Sequence, residues 1–259
     1  MKKLFAAVSI ALLAALTSAG AFAQETIRFG VDASYPPFES KAPDGKLVGF
    51  DIDMGNEICR RLHAKCVWVE QDFDGMIPAL KARKFDGVLS SMSMTPAREQ
   101  QIAFSSKLFN TPTRLVAKTG SGILPTAQSL KGKRVGVEQG TIQEAYAKAH
   151  WAPAGVDVVS YQNQDQVYQD LLAGRIDAAL QDSVQADIGF LKTPRGKGFS
   201  FAGGDLDDPV TLGNGAGIGL RKEDVALKTK IDGAIADIIK DGTYKKIEHR
   251  YFDFDVYGK

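Results

Sequence analysis

Residues 86–105 read DGVLSSMSMTPAREQQIAFS. An apolar run ends in Ser90, Ser91 and Ser93, and Thr95-Pro96-Ala97-Arg98 follows within a few residues. No His or Cys stands in this stretch to activate a hydroxyl, so its chemistry points to binding and not to nucleophilic attack. Thr95 reads as a helix N-cap with Pro96 at the first helical position. Arg98 then falls in the first turn, where the helix dipole disfavours a cation unless an anion joins it. A guanidinium grips a carboxylate through two parallel hydrogen bonds, and serine hydroxyls and free N–H groups can complete the shell. The competing reading pairs Arg98 with a neighbouring acid such as Glu99.

A second stretch has the same character. Thr141-Ile142-Gln143-Glu144 is a capping box, and the short strand before it, RVGVE, closes on Glu138. Two more strands end on carboxylates, RFGVD on Asp32 and AALQD on Asp182. In open parallel sheets, groups that meet a ligand gather beyond the carboxyl ends of the strands. That rule selects Asp32, Ser90–Ser93, Glu138–Thr141 and Asp182. Capping alone accounts for Thr95 and Thr141; an anion held by the same free N–H groups is the second reading.

The elements that carry these residues occur twice. DGMIPALKARKFDGVLSS (74–91) and DQVYQDLLAGRIDAALQD (165–182) align without gaps, matching Leu80 with Leu171, Lys84 with Arg175, Asp86 with Asp177 and Leu89 with Leu180. RFGVD (28–32) and RVGVE (134–138) form a second matching pair. Repeated strand–helix–strand units argue for an α/β fold with parallel pairing in two similarly built lobes. Near the end, Leu227, Ile231, Ile235 and Ile238 keep helical spacing, Gly242 supplies a stop, and Tyr244, Ile247 and Tyr251 continue in a second helix. TLGNGAGIGL (211–220) fails the dinucleotide pattern because Ile218 replaces the third glycine. It reads instead as flexible backbone returning from the second lobe, with Asn110–Thr113 as the outward crossing. GFSFAG (198–203) misses the G-x-S-x-G pattern at Ala202.

The chain opens MKKLFAAVSIALLAALTSAGAFA: a basic start, an apolar stretch and an A-x-A site, which together predict a secretory leader cleaved after Ala23. Cleavage removes Lys2 and Lys3 from the 32 basic residues, leaving 30 against 31 acids. Near-neutral charge without a basic run gives no sign of a nucleic-acid partner. No later stretch approaches the ~18 apolar residues of a membrane helix. In an exported chain Cys59 and Cys66, seven apart, are expected to form a disulfide joining the end of a helix carrying Met54, Ile58 and Leu62 to a strand at Val67-Trp68-Val69. The alternative is two reduced buried thiols. His63, His150 and His249 lack ligand spacing, so neither a metal nor another cofactor is expected.

DASYPPFE, GFDIDMGNEICRRL, CVWVEQDFDGMIPALKARKFD, SSMSMTPAREQQIAFS, LQD and DGTYKKIEHRYFDF together resemble the periplasmic lysine/arginine/ornithine-binding and histidine-binding proteins of ABC importers, bacterial solute-binding protein family 3. The resemblance implies a two-lobe, type II periplasmic binding protein fold, each lobe a mainly parallel sheet flanked by helices. Lobe one would take 24–109 and 216–259, lobe two 114–206, and a two-strand hinge 110–113 and 207–215. It implies that Arg98 clamps the α-carboxylate of an amino acid, helped by the backbone at Ser91, Ser93 and Thr141–Ile142, while Asp182 takes the α-ammonium. Tyr35 and Phe73 would sandwich the side chain, with Asp32 and Ser90 at its far polar end. Phe73 accords with the lysine/arginine/ornithine type, the histidine type tending to leucine there. Two positions depart from the pattern: Glu138, apolar in near relatives, and Ile142, a threonine in them. Glu138 would favour a guanidinium or else face solvent; Gln139 and Gln143 are further contact candidates.

The implied function is capture of arginine, lysine or ornithine, with histidine as the secondary option, by lobe closure in the periplasm and delivery to an ABC permease by a monomer. One rival is a periplasmic dehydratase of cyclohexadienyl type on the same fold, for which Glu138 is the one candidate acid. A second is a chemosensory protein whose loaded form docks on a receptor.

Overall fold

The computed structural model describes residues 24–258, so the expected leader lies outside the described residues. The chain begins with strands β1 (Thr26–Val31), β2 (Ser34–Tyr35), β3 (Glu39–Lys41) and β4 (Leu47–Val48). Helix α1 (Phe50–Arg61) follows, then β5 (Lys65–Glu70), α2 (Met76–Lys81), β6 (Gly87–Val88), α3 (Pro96–Glu99) and β7 (Ala103–Phe104). Next come β8 (Thr113–Lys118), α4 (Ala127–Leu130), β9 (Arg134–Glu138) and α5 (Ile142–His150). They lead to β10 (Asp157–Tyr161), α6 (Gln164–Leu172), β11 (Ala178–Asp182), α7 (Ser183–Ala186) and β12 (Phe199–Leu206). The chain closes with α8 (Pro209–Leu212), β13 (Gly219–Leu220), α9 (Val225–Lys240) and α10 (Thr243–Glu248).

Two five-stranded sheets result, ordered β5-β1-β6-β13-β7 and β10-β9-β11-β8-β12. Their plans coincide. In each, the first three strands pair in parallel, and the fourth runs antiparallel to both of its neighbours. The antiparallel members, β13 and β8, are the strands that follow the two crossings between lobes. The sheets are therefore mixed, mainly parallel with one reversed strand each.

The repeat seen in the sequence has a matching structural role. Asp86 accepts from the backbone N–H of Arg28 at 3.0 Å, and Asp177 accepts from the N–H of Arg134 at 2.8 Å. The Asp86 and Asp177 N–H groups return the bond to the carbonyls of Arg28 and Arg134, each at 2.8 Å. Each aspartate thus pins the start of its lobe's first strand. Leu80 and Leu171 both bury beneath their sheets.

Lobe one carries the larger core. Helix α1 turns Phe50, Met54 and Ile58 inward, against Ile231, Ile235 and Ile238 of α9 and Tyr244 and Ile247 of α10. Phe38 and Phe109 stack at 4.5 Å between ring centres, and Phe252 lies 5.5 Å from Phe38. Burial of one such ring contributes about 1.5–3 kcal/mol. Helix α1 ends at Arg61, and His63 enters the left-handed region at φ 52°. Cys59 and Cys66 are bridged, as expected, tying the helix end to β5.

Two expectations change. Tyr251 lies beyond the end of α10 at Glu248, in a turn whose N–H bonds to Glu248 O at 2.9 Å, and its hydroxyl bonds to Asp53 of α1. The glycine-rich return is tightly packed, not loose. Gly213 and Gly215 hold φ of 77° and 109°, and a Cβ on them would meet Met94 O at 2.3 Å and Phe109 O at 2.7 Å. Met94 N bonds to Gly215 O and Ala216 N to Phe109 O, each at 2.8 Å. These glycines serve close backbone approach at positive φ, which other residues resist.

Candidate functional site

A cleft of about 370 Å³ opens between the lobes. All twelve residues singled out for binding line it: Asp32, Tyr35, Phe73, Ser90, Ser91, Ser93, Arg98, Glu138, Thr141, Ile142, Gln143 and Asp182. Gln139 does not.

Thr95 caps α3 as expected, its hydroxyl accepting from Arg98 N at 3.3 Å, with Pro96 first in the helix. This four-residue helix presents the Arg98 side chain to the cleft, 5.3 Å from the centre of the Phe73 ring. The guanidinium donates to Ser93 O at 2.9 Å and, across the cleft, to Gly140 O at 3.0 Å. It forms no ion pair with a described residue, so the alternative pairing with Glu99 is not what the fold adopts. Burial lowers its pKa to about 10. A buried cation held only by carbonyls retains donors for an anion.

On the facing lobe, Thr141 caps α5 by accepting from Glu144 N at 3.2 Å. The capping box closes differently from the sequence pattern: Glu144 Oε2 accepts from Gly140 N at 2.7 Å, one residue before the cap. Gly140, at φ 78°, turns the chain so that its own N–H is the one in reach. The N–H groups of Ile142 and Gln143 stand in the first turn of α5, where the helix itself supplies no acceptor. Gln143 is buried, its amide donating to Thr113 at 3.2 Å.

The rest of the cleft is acidic. Asp182 caps α7, its Oδ1 accepting from Val184 N and Gln185 N at 2.9 Å each, and Thr111 donates to its Oδ2. Burial raises its pKa to about 6 against these bonds. Asp32 accepts from Ser34 N at 3.1 Å, the Ser34 hydroxyl at 2.6 Å and Phe73 N at 3.2 Å. Its N–H donates to the Ser90 hydroxyl at 2.9 Å. Glu138, 3 % exposed, does not face solvent; burial first, then Asp32 beside it, pushes its pKa well up. Tyr35 donates its hydroxyl to Gln181 of the other lobe at 2.9 Å.

Sequence reasoning missed Glu39 and Asp51, which support the serines. Ser90 donates to Glu39 at 3.0 Å, and Ser91 N donates to Asp51 at 2.7 Å, holding Ser91 at φ 50°. Both carboxyls are buried and their pKa values raised, chiefly by desolvation, that of Asp51 to about 7. Both lay in motifs quoted from the sequence, yet no local spacing links residues 39 and 51 to 90 and 91. Gln181 and Thr111 were missed for the same reason. Among the described residues no group of three His, Cys, Asp or Glu is placed to hold a metal ion, and no helix is long and apolar enough to cross a membrane.

Comparison with known proteins gives a consistent result. The chain is 54% identical, over the full length of both, to the lysine/arginine/ornithine-binding periplasmic protein of Escherichia coli K12. It is 51% identical, again over both full lengths, to the histidine-binding periplasmic protein of the same strain. Among solved structures, an ancestral arginine-binding protein bound to arginine superposes with a TM-score of 0.82 at 37% identity, covering 88% of this chain and 99% of that one. Residues 27–254 match the family described as bacterial extracellular solute-binding proteins, family 3. The two-lobe α/β architecture and the sequence agree, and the chain belongs to the bacterial extracellular solute-binding proteins, family 3.

Proposed function

We infer that this protein is a periplasmic solute-binding protein that captures a cationic amino acid (arginine, lysine, ornithine or histidine) by closing its lobes and delivers it to an ABC permease. One observation carries the reading. A single guanidinium, Arg98, and four buried carboxyls, Asp32, Glu39, Glu138 and Asp182, line one cleft whose more open edge also holds Asp205, Asp207 and Asp208, and none of the five buried groups forms an ion pair with a described residue. That inventory suits a ligand with one carboxylate and two cationic groups. Arg98 and the start of α5 would take the α-carboxylate, Asp182 the α-ammonium, and Asp32 the side-chain cation beside Tyr35 and Phe73. Hydrogen bonds to charged groups are worth about 1.5–3 kcal/mol each, so a few suffice for micromolar capture, about 8 kcal/mol.

Lobe one comprises 24–109 and 216–259, lobe two 114–206, and segments 110–113 and 207–215 are the hinge on this reading. Contacts such as Tyr35–Gln181, Arg98–Gly140 and Gln162–Asp72 are those that close the cleft. The leader expected from the sequence of residues 1–23 and the periplasmic relatives support export. A monomer acting without cofactor is sufficient for this role.

Titration calorimetry with arginine, lysine, ornithine and histidine tests the reading. Saturable one-to-one heat with at least one is expected, and no heat with any refutes it. The dehydratase alternative would use protonated Glu138 as its acid. A substrate with no cationic group would leave Asp182 and Asp32 buried and uncompensated, which is costly. Incubation with a cyclohexadienyl acid is therefore expected to give no aromatic product.

A further inference from the structure

Asp32 and Glu138 occupy equivalent places in the two lobes. Each stands at the carboxyl end of its lobe's first strand, in RFGVD and RVGVE. Lobe packing brings them to one cleft: both line it and both are buried, at 8 % and 3 % exposure, and Asp32 is the first charge, after burial, that pushes the Glu138 pKa up. No lysine, arginine or histidine of the described residues forms an ion pair with either. The ionisable groups that bear on Glu138 are Asp32, Asp72 beside Phe73, Asp165 in the first turn of α6, and Tyr35 of β2. Arg98 of α3, Glu39 of β3 and Asp182 of β11 line the same cleft. Donors from Ser34 and Phe73 favour ionised Asp32, which leaves Glu138 as the member that carries a proton.

Two ionised carboxylates have only acceptors to offer each other, and repel. They stay together in a buried place when they share a proton or enclose a cation. We propose that Asp32 and Glu138 form one cation site straddling the lobes, held by a single proton before ligand arrives and by the ligand's side-chain cation afterwards. The displaced proton passes from the Glu138 carboxyl to solvent, and no bond other than O–H breaks. The site specifies charge, because a neutral side chain has nothing to exchange for the proton. It also favours a guanidinium, whose several N–H edges can face a carboxylate from each lobe at once. This rests on the reading of the cleft as a cationic amino-acid site.

Calorimetry of arginine binding near pH 6.5, repeated in buffers of different ionisation enthalpy, counts the protons released. Asp182 can also lose a proton on meeting the α-ammonium, so the difference between the wild type and Glu138→Gln isolates the pair. We expect the wild type to release up to about one proton more than the variant. Its arginine affinity should weaken as pH falls, by up to about tenfold per unit. Glu138→Gln keeps the size and a hydrogen-bond donor, so it should still bind arginine, about 10- to 100-fold more weakly, with a flatter pH profile. Equal proton release and equal pH slopes in the two proteins would overturn the proposal and leave the binding function standing. Failure of the wild type to bind any cationic amino acid would overturn the reading of the cleft, and is told apart by the absence of heat in every buffer.

Discussion

The two lobes share a scaffold and differ at its tips. Asp86 and Asp177 bond to the backbone of Arg28 and Arg134 in the same way, and the two sheets follow one order and one pattern of strand directions. At the ends of the matched strands the residues diverge. Lobe one places Ser91 where lobe two places Asp182, and Asp32 where lobe two has Glu138. Lobe one follows its serines with α3 and the Arg98 guanidinium; lobe two follows Asp182 directly with α7. Residues that pin strands are kept in kind; of those that face the cleft, Asp32 and Glu138 are alike in charge, while Arg98 of lobe one and Asp182 of lobe two are opposite. A duplicated frame thus gives two unlike half-sites, which on the proposed function would recognise an asymmetric ligand only together.

That contrast can be broken first at the charged tips. Arg98→Ala should lower amino-acid affinity about a thousandfold, ~4 kcal/mol, as two charge-assisted bonds are lost. Asp182→Asn, which keeps a good N-cap, should cost about 10- to 100-fold; calorimetry measures both. If the two variants bind as tightly as the wild type, the half-sites are not complementary in the way described.

The shared frame is tested next by its pinning aspartates. Asp86 holds the Arg28 side chain through two bonds, at 2.8 and 3.0 Å, as well as its backbone. For Asp177 the one side-chain bond is to the Arg134 backbone. Asp86→Ala should therefore cost about 3 kcal/mol and Asp177→Ala about 1 kcal/mol in urea unfolding. The disulfide sharpens the difference further, since lobe one alone has one. Replacing Cys59 and Cys66 by serine should cost about 2.5 kcal/mol, read from the same unfolding curves.

The smallest effect is the pH response. Burial raises the Asp51 pKa to about 7 and that of Asp182 to about 6. A carboxyl with a raised folded pKa contributes stability that is complete below its unfolded value near 4 and is lost as pH rises through the folded one. Thermal unfolding of the ligand-free protein should thus shift upward by a few degrees between pH 8 and pH 5. Bound arginine should lessen the shift, because its cations stabilise the ionised forms.

Much of this could be read along the chain because it depends on local relations. The cap at Thr95, the cap at Thr141, the bridge between Cys59 and Cys66 and the repeat of Asp86 and Asp177 each involve short separations or a regular period. The support given to Ser90 and Ser91 by Glu39 and Asp51 could not be read, since it joins residues about 40–50 apart. The glycines at 213 and 215 were misread as loose for a related reason. Their composition suggests freedom, whereas the carbonyls of Met94 and Phe109 pressed against them come from distant segments.

The order of types along the chain, by itself, settled the α/β class, the doubled frame and the strand ends that carry charge, because periodicity and capping act within a few residues. Only the tertiary structure decided which charges meet. It left Arg98 without an acidic partner among the described residues and drew Asp32 and Glu138 to one cleft, since desolvation and pairing depend on what the opposite lobe brings to it.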